Sequence, residues 1–333
     1  MATIKDVARE AGVSVATVSR VINQSPKASK ASIACVKSAM DKLGYRPNAA
    51  ARALVSQSSD TIGVLVNDVS DPFFGTMVKA VDAVAHKNGK HILICNGYHT
   101  AQEERQSIEL LINNRCDGLV IHSKALSDNE LIEFAEEVPC MVLINRHIDA
   151  IAGRCISLNN YKGAYIATEH LIRHGHTKIA YISSNHNIED VEQRLQGYRD
   201  ALKQHAITLP DSYIEYGVPY GEGGEQAMTN LLTKSLEITA VVSYNDFMAA
   251  GALAVLDENN ILSPEQISVI GFDDVLIARY IHPRLTTIRY PIQMMAETAT
   301  ELSLSLARQA PMKASGLVYS PTLVQRHSVR SLK

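Results

Sequence analysis

From residue 61 onward, short apolar runs rich in β-branched residues alternate with segments of helical length. The runs fall at residues 62–66, 91–95, 118–122, 141–144, 178–182, 240–244 and 267–272. Strands apolar on both faces need cover on both sides, and strands spaced by helices imply parallel sheets between helical layers. This part of the chain is therefore predicted to be α/β. Some ~270 residues overfill one such sheet, so two lobes with a ligand cleft between them are expected. No GxGxxG turn for a dinucleotide and no GxxxxGK loop for a nucleotide is present.

The first sixty residues obey a different rule. Residues 1–59 hold nine Lys/Arg (Lys5, Arg9, Arg20, Lys27, Lys30, Lys37, Lys42, Arg46, Arg52) against Asp6, Glu10 and Asp41, a formal +6 in a chain of formal −3, leaving −9 for the rest. A basic head on an acidic body predicts that the head meets a polyanion. Thr3 caps a first helix, with Asp6 three positions on to reach back to the free N–H groups. Ile4, Val7, Ala8 and Ala11 then recur at helical spacing. Gly12 supplies the positive φ that a sharp turn between helices needs. Ser14 caps a second helix over 15–23, with Val18 and Val21 or Ile22 turned inward.

Small Ala8, then Gly12 and Val18 at that spacing, form an all-α helix-turn-helix pattern. Such a motif carries the N-terminal part of its second helix to the base edges of the major groove. The outward candidates are Val15, Ala16 and Arg20. Arg20 can donate two bonds to a guanine, and Val15 and Ala16 can touch a thymine methyl. Thr3, Ser14, Thr17, Ser19 and Asn23 suit phosphates, which position without specifying. The alternative is a small protein-binding bundle, against which the +6 charge counts.

A third helix is predicted over 29–43, ending at Gly44. Beyond Pro47, Asn48 can cap a short Ala-rich helix that includes Arg52 and carries Leu54 as its one large apolar group apart from Val55. At under three turns it is too short to be stable alone in water, so it should fold only against something. The polar run 56–60 reads as a linker. Ile4-Lys5-Asp6-Val7-Ala8, Gly12-Val13-Ser14, Thr17-Val18-Ser19-Arg20-Val21-Ile22-Asn23 and Tyr45-Arg46-Pro47-Asn48 together resemble the lactose-repressor family of bacterial regulators. In that family the short segment is a hinge helix. Two of them, one per subunit, enter the minor groove at the operator centre, where a leucine wedges into a base step. The resemblance puts that leucine at Leu54 and adds Asn48 and Arg52 to the DNA-binding set. It also implies a periplasmic-binding-protein-like body of two lobes with three crossovers, expected near 160, 246–273 and 288–293. The expected division is thus 1–46 for the helix-turn-helix domain, 47–60 for hinge and linker, and 61–333 for effector binding and dimerisation. Within the last, one lobe is 61–159 with 292–325 and the other 160–290.

In parallel α/β lobes, ligand groups gather beyond the carboxyl ends of the strands. Those positions hold 68–74, His122, Asn145-Arg146, 190–194, Asn245-Asp246 and Asp273-Asp274. They are mostly planar amides and carboxylates, with arginine and an aromatic pair in a chain that has no Trp and five Phe. Sugar hydroxyls want such edges, and a sugar's C–H side wants an aromatic face. A phosphorylated ligand would call for more cations. The resemblance adds that Asp71 and Phe73, Asp190 and Arg194, Asn245-Asp246 and Asp273 match positions where hexose-binding members of this fold grip galactose or glucose. Asn145 stands where the family often has Asp. His122 reads as a ligand contact or a satisfied core residue. Asn245-Asp246 could simply cap the next helix, Asp274 could be structural, and Phe74 reads as core. Matches at Asn96-Gly97-Tyr98-His99, Gly175-His176, Gly271-Phe272-Asp273-Asp274-Val275 and Pro321-Thr322-Leu323-Val324 resemble the galactose-repressor branch. That implies a homodimer on a pseudo-palindromic operator, released by D-galactose. A same-fold regulator of another sugar, or one using a purine corepressor, is the alternative.

Other classes are disfavoured. No apolar run approaches the ~20 residues that span a bilayer, and residues 1–6 lack a signal-peptide layout. A cytoplasmic protein with no membrane partner is expected, not a secreted sugar carrier. Cys35, Cys95, Cys116, Cys140 and Cys155 are odd in number with no CxxC pair, so free thiols are expected and no metal site. The histidines form no HExxH and no GxSxG occurs, so no cofactor and no enzyme activity are expected. No heptad tail precedes Lys333, which favours a dimer over a zippered tetramer.

Overall fold

The head, in this computed structural model, is built as its caps dictate. The structure describes residues 2–23, 25–46, 59–310 and 316–333; Asn48, Arg52 and Leu54 lie outside them. Helix α1 (Ile4–Glu10) opens on a capping box, in which Thr3 Oγ1 accepts from Asp6 N and Asp6 Oδ2 accepts from Thr3 N at 2.9 Å. Helix α2 (Val15–Ile22) opens on Ser14, which accepts from Thr17 N at 3.1 Å. Between them Gly12 takes φ 67°, a conformation open to glycine at little cost. Helix α3 (Lys30–Leu43) closes at left-handed Gly44, the usual glycine stop. Val7, Ala8, Val18, Val21, Val36 and Ala39 form the small core of these three helices, so Val18 and Val21 are the inward pair of α2.

Among the described residues the body holds two six-stranded sheets. The first contains β1 (Thr61–Val66), β2 (His91–Asn96), β3 (Gly118–Ile121), β4 (Met141–Ile144), β5 (Cys155–Leu158) and β11 (Leu317–Tyr319), ordered β11-β5-β4-β3-β1-β2 and parallel throughout. Helices α4 (Pro72–Lys87), α5 (Ala101–Asn113), α6 (Asp128–Glu137) and α12 (Ile292–Ala307) pack with it. The second contains β6 (Ile179–Ser184), β7 (Ile214–Gly217), β8 (Ala240–Ser243), β9 (Ser268–Asp273), β10 (Thr286–Arg289) and β12 (Thr322–Val324), ordered β12-β10-β9-β8-β6-β7. Only β12 runs antiparallel. Helices α7 (Asn160–Arg173), α8 (Glu189–Gln204), α9 (Gly221–Thr233), α10 (Asp246–Glu258) and α11 (Ile277–Tyr280) belong to this lobe.

Side chains alternate across the strands, as the pleat requires. Along β1, Ile62, Val64 and Val66 join Met77, Val81 and Met295 in one cluster, while Leu65 joins Ile108 and Leu111 in another. Each buried aliphatic side chain contributes about 1.5–3 kcal/mol over exposure. Two-sided cover explains why these runs are apolar throughout.

Two expectations about the chain path need correction. The crossover expected within 246–273 does not exist, because α10 and β9 both stay with the second sheet. The chain passes between sheets at 158–160, 289–292 and 319–322. The first lobe's return segment also ends earlier than 325. β12 pairs with β10, Arg326 N donates to Thr286 Oγ1, and Val269 N donates to Ser328 O, which ties the tail to the second lobe. Sheet pairing, not apolar content, decides a three-residue strand's allegiance.

Candidate functional site: a DNA-reading helix and an inter-lobe cleft

On the head, Val15 is 41% exposed, and Ala16 and Arg20 are exposed with it. Ala16 and Arg20 lie four apart and so share a helix face. That is the placement base contact requires, since Val18 and Val21 commit the opposite face to the core. Ser14 and Thr17 hydroxyls stand 2.9 Å apart, and Asn23 Nδ2 donates to Ser19 Oγ at 3.5 Å. Ser14, Thr17, Ser19 and Asn23 thus share α2 or its caps with Val15, Ala16 and Arg20. Thr3 also lies exposed, but its hydroxyl is engaged with Asp6, donating to Oδ2 at 2.7 Å.

Between the lobes lies a cleft of about 640 Å³ including its mouth, lined by Asp71, Phe73, His122, Asn145, Asp190, Arg194, Asn245 and Asp273 among others. These eight expected ligand contacts thus reach one cavity, whereas Arg146, Asp246 and Asp274, also beyond strand ends, do not line it. Each is delivered by a loop or helix start beyond a strand. Asp71 caps α4, its Oδ1 accepting from Phe73 N at 2.8 Å. Asn145 follows β4 with φ 57°, and Asp273 ends β9 with φ 107°. Positive φ at non-glycine residues costs energy and concentrates at functional sites. Asp190 and Arg194 lie one turn apart on α8, facing inward at 6% and 4% exposure.

Arg194 is held on several sides. Its Nε donates to Asn160 Oδ1 at 2.9 Å and its Nη1 to the Tyr244 carbonyl at 2.6 Å. The guanidinium carbon lies 3.7 Å from the Phe272 ring centre and 4.5 Å from that of Tyr244, which adds cation–π attraction. Asn245 is less available than expected. Its Oδ1 caps α10 through Met248 N, and its Nδ2 donates to the Pro219 carbonyl, both at 2.8 Å. The neighbouring Asp246 is buried and structural, binding Thr287 Oγ1 and Val275 N. Asp274 is structural too, held by Arg289 and Arg326.

Burial sets the electrostatics of the cleft. It pushes Asp273 up to about 7 against the pull of Arg194, with Asp71 and Asp190 adding to the rise. Burial also raises Asp71. Asp190 goes the other way: burial opposes its charge, but Lys124, Arg194 and bonds from Lys124 and Asn145 outweigh it. Burial and then Lys124 hold His122 well below the ordinary imidazole range, so it is neutral near pH 7. Its Nδ1 has no hydrogen-bond partner among the described residues, and its ring stacks edge-on to Phe74 at 4.8 Å.

Several further residues line the cleft without a clear signal in the sequence. Lys124 sits two positions beyond His122, and only its contact with Asp190 of the other lobe marks it out. His99 and His186 approach from opposite lobes, ring centres 5.0 Å apart. Tyr220, Tyr244, Phe247 and Tyr290 supply further aromatic wall, and Phe73 packs edge-on to Tyr290 at 4.9 Å. Phe74, expected as core, is 6% exposed and also borders the cleft. All five cysteines are free thiols. Among the described residues no helix is long and apolar enough to cross a membrane.

Residues 3–48 match the family model described as "Bacterial regulatory proteins, lacI family". Residues 59–302 match the one described as "Periplasmic binding proteins and sugar binding domain of LacI family". The HTH-type transcriptional regulator GalR of Escherichia coli (strain K12) is 57% identical over 99% of this chain and 96% of its own length. GalS of Salmonella typhimurium (strain LT2) is 53% identical over 99% and 97%. Among solved structures, the lac repressor dimer bound to operator and the anti-inducer ONPF superposes with a TM-score of 0.86 at 27% identity, covering 99% of both chains.

Proposed function

The chain belongs to the LacI family of bacterial regulatory proteins, and from that membership we propose a cytoplasmic, homodimeric repressor of galactose utilisation and transport genes that D-galactose releases from its operator. The observation that carries the reading is the convergence of Asp71, Phe73, Asn145, Asp190, Arg194 and Asp273 on one cleft between two lobes. Carboxylates and an amide meet sugar hydroxyls, Arg194 has its Nη2 left beside the Asn160 and Tyr244 bonds to donate to one, and Phe73 offers a ring to the C–H face. His122 and Asn245 complete the lining, His122 through its unbonded Nδ1.

On the DNA side, α2 enters the major groove with Val15, Ala16 and Arg20 at the bases, and Thr3, Ser14, Thr17, Ser19 and Asn23 at phosphates. Two heads on a two-fold dimer read a pseudo-palindrome. The hinge at 47–60, with Asn48, Arg52 and Leu54 in the minor groove, enters the proposal on sequence grounds. The protein acts as a conditional binder and not as a catalyst. Galactose can change operator affinity only by binding the two states of the protein differently, so operator must weaken galactose binding by the same factor.

Calorimetric titration of galactose with and without operator duplex tests this reciprocity. Equal affinities in the two titrations would sink the induction model. Thermal melts against galactose, glucose, fucose and hypoxanthine separate a galactose effector from another sugar or a purine.

A further inference from the structure

One buried carboxylate organises two loops of the first lobe. Glu104, on α5 and 2% exposed, accepts from the Ser123 hydroxyl at 2.5 Å. It also accepts from the backbone N–H groups of Lys124 (3.1 Å), Ala125 (3.0 Å) and Leu126 (3.1 Å). A Cβ on Gly97 would lie 2.7 Å from Glu104 Cγ, so the loop leading to His99 rests on the same side chain. The loop after β3, fixed in this way, delivers Lys124 into the cleft with its side chain 2% exposed.

There the ammonium donates to Asp190 Oδ1 at 2.7 Å and to the carbonyl oxygen of Asn145. Asn145 Nδ2 donates to the other carboxylate oxygen, Oδ2, at 2.8 Å. Lys124 and Asn145 belong to the first lobe and Asp190 to the second. Both oxygens of Asp190 are thereby engaged from across the cleft. A desolvated ammonium and carboxylate resist separation unless both regain water, and parting the lobes is what would hydrate them.

We infer that Lys124 is an inter-lobe tether, its ammonium holding the two lobes together through Asp190, the carboxylate that the effector reading assigns to a sugar hydroxyl. The tether stands on the bridge itself; only the competition with sugar rests on the effector reading. Glu104 is its positioning residue. A ligand reaches Asp190 by sharing it with the lysine or displacing it, so Lys124 helps set which ligands the cleft accepts. Neutral polyols can donate beside the ammonium, whereas a cationic ligand must take its place.

The chain has no tryptophan, so Tyr220→Trp, at a cleft position 40% exposed, gives a single emission reporting hydration of the cleft. In that full-length background, with no sugar added, Lys124→Ala is expected to shift the emission maximum to the red. Propylammonium chloride should restore it by refilling the ammonium position, while n-propanol should not. Asp190→Asn should give the same red shift with no rescue. Unchanged emission in both variants overturns the tether, as does equal rescue by propanol and propylammonium. Should Lys124→Ala fail to fold by circular dichroism, Asp190→Asn decides together with Lys124→Arg: the first must shift red and the second must not. Galactose titration of the parent chain runs alongside. Absence of heat there fells the effector reading and leaves the emission comparison intact.

Discussion

Arg194 Nη2 stands 3.6 Å from Asp273 Oδ1, near enough for charge to act and too far for a hydrogen bond. The arginine spends its bonds on Asn160 and the Tyr244 carbonyl. Asp273 therefore keeps its acceptor capacity facing the cleft, and burial leaves its carboxyl poised at about 7.

That poise has a sign. A sugar hydroxyl donated to Asp273 favours the ionised form, so galactose affinity should rise as pH climbs through about 7. Binding at neutral pH should then release a proton, which calorimetry in buffers of differing ionisation enthalpy measures directly. No buffer dependence would remove Asp273 from the ligand set. Stability runs the opposite way. Folding lifts this carboxyl from 3.8 to about 7, so its contribution is full below 3.8 and is lost as pH rises through about 7. Asp246, raised by burial, acts in the same direction. The body should melt lower at alkaline pH, and Asp273→Asn should flatten the profile.

Arg194→Lys should be far from conservative. Lysine keeps the charge but loses the planar fork that binds Asn160 and Tyr244 and the face that lies on Phe272. A loss of about 2–3 kcal/mol in urea unfolding is expected, with galactose affinity falling at least about tenfold. A variant that binds sugar normally would show that the arginine only braces the second lobe.

On the head, Arg20→Ala should cost about 1–3 kcal/mol on operator and much less on a scrambled duplex, because a guanine contact reads sequence. Ser14→Ala should weaken both duplexes alike. It also removes the cap on α2, lowering the head's melting temperature through about 1 kcal/mol. Anisotropy titrations on the two duplexes separate the cases, and equal losses for Arg20→Ala would demote it to a phosphate contact.

Gly251→Ala probes how tightly the second lobe is closed on itself. A Cβ there would sit 2.0 Å from the Gly221 carbonyl oxygen, a backbone atom that cannot swing away. Helices α9 and α10 would have to part, and a loss of about 1–3 kcal/mol is expected by denaturant titration. Operator affinity should survive at temperatures where the variant stays folded.

Much of this was legible in the chain because local chemistry and fold agreed. Thr3, Ser14 and Gly12 punctuate the head by capping and turning, which depend only on near neighbours. The seven short apolar runs marked seven strands, and their ends led to Asp71, Asn145, Asp190 and Asp273. What escaped depends on distant pairing. β7 is half exposed, β11 is an edge strand with Leu317 and Val318 outward, and β10 mixes threonine with one isoleucine; none shows a clean apolar signature. Lys124 stayed hidden because its role appears only when Asp190 arrives from the other lobe. His99 was read as part of a motif, while its ring contact with His186 spans 87 positions of sequence and could not be inferred from either side alone.

The three passages at 158–160, 289–292 and 319–322 have a mechanical consequence. They leave from β5, β10 and β11, and the last arrives at β12. In the sheet orders, β5 and β11 are neighbours at one edge of the first sheet, while β10 and β12 are neighbours at one edge of the second. A body joined to another by one strap keeps three rotational freedoms. Joined by three straps gathered along a line, it keeps one easy rotation, about that line, and resists slewing and sliding. A pull exerted between Asp190 and the first lobe is therefore geared into a single swing, the one kind of displacement that neighbouring segments can pass on as a fixed change of angle.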